Sequence, residues 1–198
     1  MAIADVAGKS VPAAMLMATF QANLKTLAST ASSLTEVVGR MNSYACSNSQ
    51  NGRRFTTAFI AEYIPAFRGL IYVNAGHDPP ILRRQTGAIE RLQAGGIPLG
   101  IQDDAPYESG SLTLQTGDWL VIFTDGVTEA ENDRTEEYGE ARLIDVLRAN
   151  LAATPSALLN TIMSDLDRFA GGAPLRDDFT LMLFRVSWSA FRGFWHRN

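Results

Sequence analysis

The chain contains the stretch Trp119-Leu120-Val121-Ile122-Phe123-Thr124-Asp125-Gly126, in which five apolar residues lead through a threonine to an acid and a glycine. A continuous apolar run of this kind, bounded by turn residues, is typical of a strand buried on both faces. A carboxylate at the end of such a strand is costly unless a cation or hydrogen bonds neutralise it. Gly126 permits a tight turn, so the Asp125 carboxylate can face an ion. An isolated Asp-Gly pair most often marks only a turn, so this pair needs support from elsewhere in the chain.

Two further acidic positions have the same relation to predicted strands. Asp5 ends a short strand predicted over residues 2–5, and Asp177 and Asp178 precede the last strand, predicted over residues 179–186. If these carboxylates meet at one edge of a sheet they repel one another, and a divalent cation relieves the repulsion. Hard oxygen ligands favour Mg²⁺ or Mn²⁺ over zinc, and no set of histidines and cysteines offers a tetrahedral alternative.

The apolar periodicity predicts two helices near the start of the chain, several strands, two more helices and a final strand. The first helix is apolar almost all round, which predicts burial on more than one side. Hairpin turns between most strands imply antiparallel pairing, and paired helices at each end indicate layers that cover a sheet or sandwich. The predicted helices span residues 11–27, 34–48, 138–150 and 155–169, and the predicted internal strands span residues 55–64, 70–74, 81–84, 89–92, 111–115 and 119–124.

Composition limits the possible classes of protein. A chain of 198 residues is long enough for one domain with a sizeable core. Its net charge of −4 and the lack of a Lys/Arg cluster argue against a nucleic-acid surface. No apolar run approaches the roughly 20 residues of a membrane span. The single cysteine, Cys46, excludes a disulfide within the chain and favours a reducing compartment, so we expect a cytoplasmic protein.

His77 stands at a predicted strand-to-turn junction, between Asn74-Ala75-Gly76 and Asp78-Pro79-Pro80. It is interpreted either as a proton donor or loop-ordering hydrogen-bond partner near a site, or as a structural turn histidine. The sequence alone leaves both interpretations open. Cys46 is interpreted as a small, partly buried helix residue rather than a nucleophile.

Five short segments then define a resemblance to a known family. The chain closely resembles the bacterial SpoIIE/RsbU branch of the metal-dependent type 2C protein phosphatases, from residue 1 to about residue 186. Each segment alone is weak evidence for the family, whereas all five segments in the same order are specific to it. They are Asp5-Val6-Ala7-Gly8-Lys9-Ser10-Val11-Pro12-Ala13-Ala14, Asn74-Ala75-Gly76-His77, Gly95-Gly96-Ile97-Pro98-Leu99-Gly100, Thr124-Asp125-Gly126-Val127-Thr128-Glu129-Ala130 and Asp177-Asp178-Phe179-Thr180.

The resemblance implies an α+β fold, a four-layer α-β-β-α sandwich of antiparallel sheets that binds two Mn²⁺ or Mg²⁺ ions at one edge. It implies hydrolysis of phosphoserine or phosphothreonine on a regulatory protein, typically a STAS-type anti-sigma-factor antagonist, by a metal-activated water. Carried over by position, Asp5 bridges the two metals, the carbonyl of Val6 contacts the second, and Asp125 and Asp177 complete the first metal's ligands. Candidate supporting positions beside these ligands are Gly126, Asp178 and His77.

This sequence departs from the family pattern in two places. Ser10 replaces the usual glycine, and an upstream segment of two strands with a Gly-Asp-x-Tyr-Asp-like motif is not present. We therefore expect an N-terminally truncated phosphatase domain over residues 1–186, followed by an aromatic tail over residues 187–198. Exposed sheet edges or the tail are expected to support a homodimer.

Two functional hypotheses follow from the retained acids and the missing upstream motif. The first is an active phosphatase, because a pure binding module has no reason to keep mutually repulsive acids. The second is a catalytically impaired phosphatase-like binding or regulatory module. A nucleotide-binding domain is disfavoured, since no glycine-rich phosphate loop precedes the Gly8-Lys9-Ser10 triplet.

Overall fold

The computed structural model of the chain describes residues 1–8, 11–48, 54–172 and 177–187. The predicted aromatic tail lies, apart from residue 187, outside the described residues, and so does the proposed role of the tail in dimerisation. In chain order the elements are β1 (Ala2–Val6), α1 (Val11–Leu27), α2 (Leu34–Asn48), β2 (Thr56–Ile64), β3 (Gly69–Ala75), β4 (Ile81–Arg83), β5 (Ile89–Arg91), β6 (Gly95–Gly96), β7 (Gly110–Thr113), β8 (Trp119–Phe123), α3 (Asp125–Thr128), α4 (Gly139–Ala149), α5 (Pro155–Ala170) and β9 (Leu181–Arg185).

The strands form two sheets. The first has the order β1-β2-β3-β6, with β7 also paired to β3, and the second has the order β5-β4-β8-β9. All pairs are antiparallel except β3 with β6, so the prediction of antiparallel sheets is wrong for that pair. A Cβ added to Gly95 would collide with the carbonyl oxygen of Asn74, so glycine is required at this close approach of two backbones.

Three apolar clusters separate the structure into four layers. One lies between the second sheet and helices α4 and α5, one between the two sheets, and one between the first sheet and helices α1 and α2. Representative buried residues of these clusters are, in the same order, Ile162, Leu120 and Val38. The fold is therefore the predicted α+β, four-layer α-β-β-α sandwich.

Strand β8 is buried on both faces, as its apolar run predicts. Trp119, Val121 and Phe123 face the cluster under α4 and α5, while Leu120 and Ile122 face the cluster between the sheets. All five residues are at most 1% exposed. Because side chains alternate along a strand, this central position requires apolar residues at every step.

The turn between β7 and β8 carries the chain from the first sheet to the second, so these two strands are not a hairpin. Asp118 lies buried in this turn. Its carboxylate accepts hydrogen bonds from the backbone N–H groups of Gln85 and Gln115, at 3.0 and 2.8 Å. It also forms an ion pair with Arg84, at 2.9 Å. These contacts compensate the burial of the charge and fix the crossing point.

Helix α1 does not match its predicted burial. Of its residues only Ala13 is buried, while Val11 and Met15 are 76% and 66% exposed. The helix packs against β1 and α2, and an apolar sequence does not by itself enclose it. No helix within the described ranges is long and apolar enough to cross a membrane.

Strand β1 is at the edge of the first sheet and pairs only with β2 within the described part of the chain. The expected exposed sheet edge is therefore present in these residues. Pairing of this edge with a second copy of the chain stays a prediction.

Candidate metal centre

Two strand ends bring Asp5 and Asp125 to the same cavity. Asp5 lies near the end of β1, directly opposite Thr57 of β2 in the antiparallel register. Asp125 follows β8 and begins the short helix α3. The cavity has a volume of about 220 Å³ and is lined by Asp5, Thr57, Gly76, His77, Asp78, Thr124, Asp125, Thr128 and Glu129. The predicted convergence of these two acids is thus present in the fold.

The acids in and beside this cavity repel one another. Partial loss of hydration raises the pKa of the Asp5 carboxyl, the negative charge of Asp125 raises it further, and that of Asp177 adds a smaller effect. A hydrogen bond from the Val6 N–H opposes these effects. Asp177 therefore lies within electrostatic reach of Asp5, although it is not among the residues that line the cavity. The arrangement concentrates negative charge that a bound cation would neutralise.

All three acids have exposed side chains, although the sequence suggested costly carboxylates at buried strand ends. The strands themselves are buried, but their last residues emerge at the edge of the sandwich. Water therefore still reaches the carboxylates there, although Asp5 has lost part of its hydration, and their oxygens are accessible to an ion.

Backbone contacts hold Asp125 next to Asp177. The N–H of Thr124 donates to the carbonyl of Thr180 at 3.0 Å, and the N–H of Thr180 donates to the hydroxyl of Thr124 at 2.9 Å. One oxygen of Asp125 accepts the Gly126 N–H at 2.8 Å. One oxygen of Asp177 accepts the N–H of the residue after it at 2.7 Å. Each carboxylate is thereby oriented by its own turn.

Gly126 and Asp178 meet through their backbones. A Cβ on Gly126 would lie 2.5 Å from the carbonyl oxygen of Asp178, a contact that real Cβ atoms do not make. Gly126 is buried and the side chain of Asp178 is exposed. The structure therefore brings both predicted supporting positions to the centre, and the contact between them is made by main-chain atoms.

His77 connects three segments of the cavity wall. Its backbone N–H donates to Oδ1 of Asn74 at 2.8 Å, its Nδ1 lies 3.1 Å from the Thr57 hydroxyl, and its Nε2 lies 3.1 Å from the Phe123 carbonyl oxygen. A carbonyl only accepts hydrogen bonds, so Nε2 carries the proton, and neutral Nδ1 accepts from Thr57. Burial lowers the pKa of His77, partly offset by the charge of Asp78. These contacts support the loop-ordering interpretation and disfavour a proton donor.

Two further acids line the cavity, and the sequence carries little signal for either of them. Asp78 follows His77 and has a pKa raised by burial, and Glu129 lies one helical turn after Asp125 with a pKa raised by burial and by Asp125. Glu129 belongs to the quoted segment 124–130, and its spacing of four residues from Asp125 places both acids on one side of a helix, but neither feature assigned it a role. Asp78 had no comparable signal, because it lies in a turn.

The donor set fits a hard cation that keeps part of its water shell. No group of three or more His, Cys, Asp or Glu side chains within the described ranges is close enough to hold an ion unaided. Mg²⁺ commonly binds through one or two carboxylates and retains several waters, and Mn²⁺ accepts similar oxygen ligands. Carboxylate oxygens of Asp5 and Asp125, with mutual repulsion to relieve, meet that requirement.

An α-β-β-α sandwich with acids gathered at one edge defines the class of type 2C phosphatase folds. The SiaA-PP2C domain of Pseudomonas aeruginosa has a TM-score of 0.81 at 20% identity, covering 93% of this chain and 74% of that one. The catalytic domain of the phosphatase PstP, solved in complex with two manganese ions, has a TM-score of 0.66 at 16% identity, covering 94% and 86%. At these identities the comparisons concern the fold.

The sequence itself shows the family. The family model described as Stage II sporulation protein E (SpoIIE) matches residues 1–187, and the chain belongs to that family. Phosphoserine phosphatase RsbU of Bacillus subtilis is 32% identical over 187 residues, which cover 93% of this chain and 54% of RsbU. Protein IcfG of Synechocystis sp. is 30% identical over 207 residues, covering 91% and 32%. The chain thus spans between a third and about half of the length of these curated relatives.

Proposed function

We propose that residues 1–186 form a metal-dependent protein serine/threonine phosphatase domain that acts on a phosphorylated regulatory protein. The observation that carries this proposal is the shared cavity of Asp5 and Asp125, with Asp177 within electrostatic reach. The SpoIIE family match and the similarity to RsbU, a named phosphoserine phosphatase, support the same class of reaction.

Asp5, Asp125, Asp177 and the carbonyl of Val6 are the proposed ligands of two ions, Mg²⁺ or Mn²⁺. Bound ions of this kind supply a water of lowered pKa and neutralise charge that develops on a transferring phosphoryl group. The chain itself orients the carboxylates, through the Val6 N–H on Asp5 and the Gly126 N–H on Asp125. His77 keeps the wall of the cavity in place as a neutral side chain.

The proposed substrate is a phosphoprotein of the STAS-type anti-sigma-factor antagonist class, and the proposed location is the cytoplasm. The similarity to RsbU and to a second phosphoserine phosphatase of the same organism, RsbP, supports a phosphoserine substrate. With cations bound to its acids, the polar cavity suits a phosphoryl group presented on a protein surface, because it offers little apolar area to bind a small organic ligand.

Hydrolysis of an aryl phosphate with Mn²⁺ tests the proposal. Replacing Asp125 with Ala is expected to lower kcat/KM by at least about 100-fold, because loss of a residue that only supports a metal ligand already costs about 10–100-fold. Asp145→Ala is the matched control, because Asp145 is an exposed acid on α4, away from the cavity. Activity that survives Asp125→Ala would refute the assigned centre. Inactivity of the wild-type chain, together with Mn²⁺ binding by calorimetry, would instead favour the impaired binding module.

The substrate class requires a separate experiment. A STAS-domain protein phosphorylated on serine is compared with the same protein phosphorylated on threonine at that position and with a short phosphoserine peptide. Preference for the folded phosphoserine protein supports the proposal. Equal rates on the protein and the peptide would contradict recognition of a folded partner.

A further inference from the structure

Helix α2 contains a buried polar residue that the proposed chemistry does not use. Asn42 is 1% exposed. Its Oδ1 accepts the backbone N–H of Gly100 at 3.0 Å, and its Nδ2 donates to the carbonyl of Gln102 at 2.8 Å. A buried amide is tolerated only with such partners. Asn42 therefore fastens the loop over residues 99–102 to the helix from a position about 60 residues away in the sequence.

The geometry leaves the fastened loop little freedom. Gly100 has a φ of +90°, and a Cβ there would lie 3.0 Å from the carbonyl oxygen of Arg54 and 3.4 Å from Cβ of Ala45 on α2. A glycine with positive φ allows the loop backbone to approach the helix more closely than a residue with a side chain would. The two hydrogen bonds of Asn42 fix the orientation of the loop at this contact.

The same loop is also joined to the wall of the acidic cavity. Leu99 exchanges two backbone hydrogen bonds with Thr56, at 2.9 and 2.8 Å. A Cβ added to Gly76 would collide with the ring of Pro98, so these two residues pack closely, and Gly76 lines the cavity. The residues next to these contacts, Thr57 and His77, bind each other in that wall. A displacement of the loop would therefore be transmitted to the cavity wall, because the residues that the loop contacts either line the cavity or are next in sequence to residues that do.

We propose that Asn42 is a positioning residue that holds the cavity wall of Gly76, His77 and Thr57 in place through the 98–100 turn. This inference rests on the proposed function, because the wall matters for turnover only if the cavity hydrolyses a phosphoester. Its structural part is independent of activity, since the hydrogen bonds of Asn42, Leu99 and His77 can be followed in the chain without substrate.

Two variants test the proposal. Asn42→Leu keeps a similar side-chain volume and removes both hydrogen bonds. Asn42→Asp retains an acceptor for the Gly100 N–H and loses the donor to Gln102. Asn48→Leu is the matched control, because Asn48 lies on the same helix, is exposed, and donates to the carbonyl of Tyr44 within that helix rather than to the 99–102 loop.

The first readout is hydrogen exchange and the ¹⁵N spectrum of the His77 ring. The chain has two histidines, so a His196→Gln background leaves His77 as the only imidazole signal. Asn42→Leu is expected to raise exchange at the Thr56 and Leu99 amides about tenfold and to weaken or shift the Nε2–H signal. Asn42→Asp places a carboxylate oxygen against the Gln102 carbonyl at a buried position, so it is expected to give changes at least as large, and the Asn48 variant none.

The second readout is turnover at a temperature where thermal unfolding shows each variant to be folded. With saturating Mn²⁺, Asn42→Leu is expected to lower kcat about tenfold while KM changes little, as for other residues that orient a centre from outside it. Unchanged His77 signals and unchanged Leu99 exchange in both Asn42 variants would overturn the proposal. If the wild-type chain is inactive, the proposed function fails, whereas the exchange and His77 measurements still decide whether Asn42 positions the wall.

Discussion

Substitution of Gly126 by Ala is the sharpest test of how the metal centre is assembled. A Cβ there would lie 2.5 Å from the carbonyl oxygen of Asp178 and 3.2 Å from Cβ of Phe179. The nearest opposing atom belongs to the backbone, so the contact cannot be relieved by rotating a side chain. The turn that carries Asp125 must therefore move away from the segment that carries Asp177.

The size of the effect follows from this contact. Insertion of one methyl group into a close-packed site costs about 1–3 kcal/mol. For a chain of this length each kcal/mol lowers Tm by about 2–4 °C, so Gly126→Ala is expected to melt about 2–12 °C below wild type. Separation of Asp125 from Asp177 is expected to weaken Mn²⁺ binding about 10–100-fold.

Thermal unfolding with and without Mn²⁺, together with calorimetric titration of the metal, measures both effects. Gly39→Ala is the matched control, since a Cβ on Gly39 of α2 meets no atom within 4 Å. In a helix interior that change is expected to stabilise by about 0.5–1 kcal/mol. A Gly126→Ala chain that melts like wild type and binds Mn²⁺ equally well would refute the argument that this contact spaces the two acids.

Three further predictions concern charge, pH and packing. Asp5→Asn removes repulsion with Asp125, so we expect a higher Tm than wild type in EDTA and loss of the Tm increase that Mn²⁺ produces, both read by thermal unfolding. Burial lowers the pKa of His77 below its ordinary 6.5, so the unfolded state binds the proton more readily and stability falls as pH drops below 6.5. The decrease is at most about 1.4 kcal/mol per pH unit for one group, and urea unfolding between pH 7.5 and 5 should show it reduced in His77→Asn and unchanged in His196→Gln. Tyr138→Phe removes the hydrogen bond of the Tyr138 hydroxyl to Asp165 at 2.8 Å, and urea unfolding should show a loss of about 1 kcal/mol with Mn²⁺ affinity unchanged.

The sequence predicts the local elements because their signals are local. The bounds of α1 and α2 agree with the spacing of their apolar residues, and β8 is recognised by its uninterrupted apolar run. β6 has only two glycines and therefore no side-chain pattern, so the parallel pair it forms with β3 was not predictable from periodicity. Sequence periodicity is also insufficient at the turn that contains Asp118. The residues there predict a strand, a turn and a strand, but they do not reveal that the two strands lie in different sheets.

The candidate site was predicted in part. Asp5 and Asp125 were found because each stands at the end of a predicted strand, and Asp177 because it precedes the last one, and the family motifs include all three positions. Asp78 and Asn42 were missed, since their relevance depends on the strand register and on how α2 lies against the 99–102 loop. Neither relation leaves a periodic pattern in the sequence. The ligand roles themselves stay predictions that the metal and activity measurements decide.

The contacts around the cavity join residues that are far apart in the sequence, and this affects the order in which the molecule folds. The hydrogen bond between His77 and Phe123 closes a separation of 46 residues, and that between Thr180 and Thr124 closes 56. Closing such loops costs entropy before any contact repays it, whereas α1 and α2 need only neighbouring residues. We expect refolding to recover helical circular dichroism first and Mn²⁺ binding in the last, slowest phase. The cavity is therefore a property of the finished molecule, and a chain arrested with its helices formed would have no affinity for the ion.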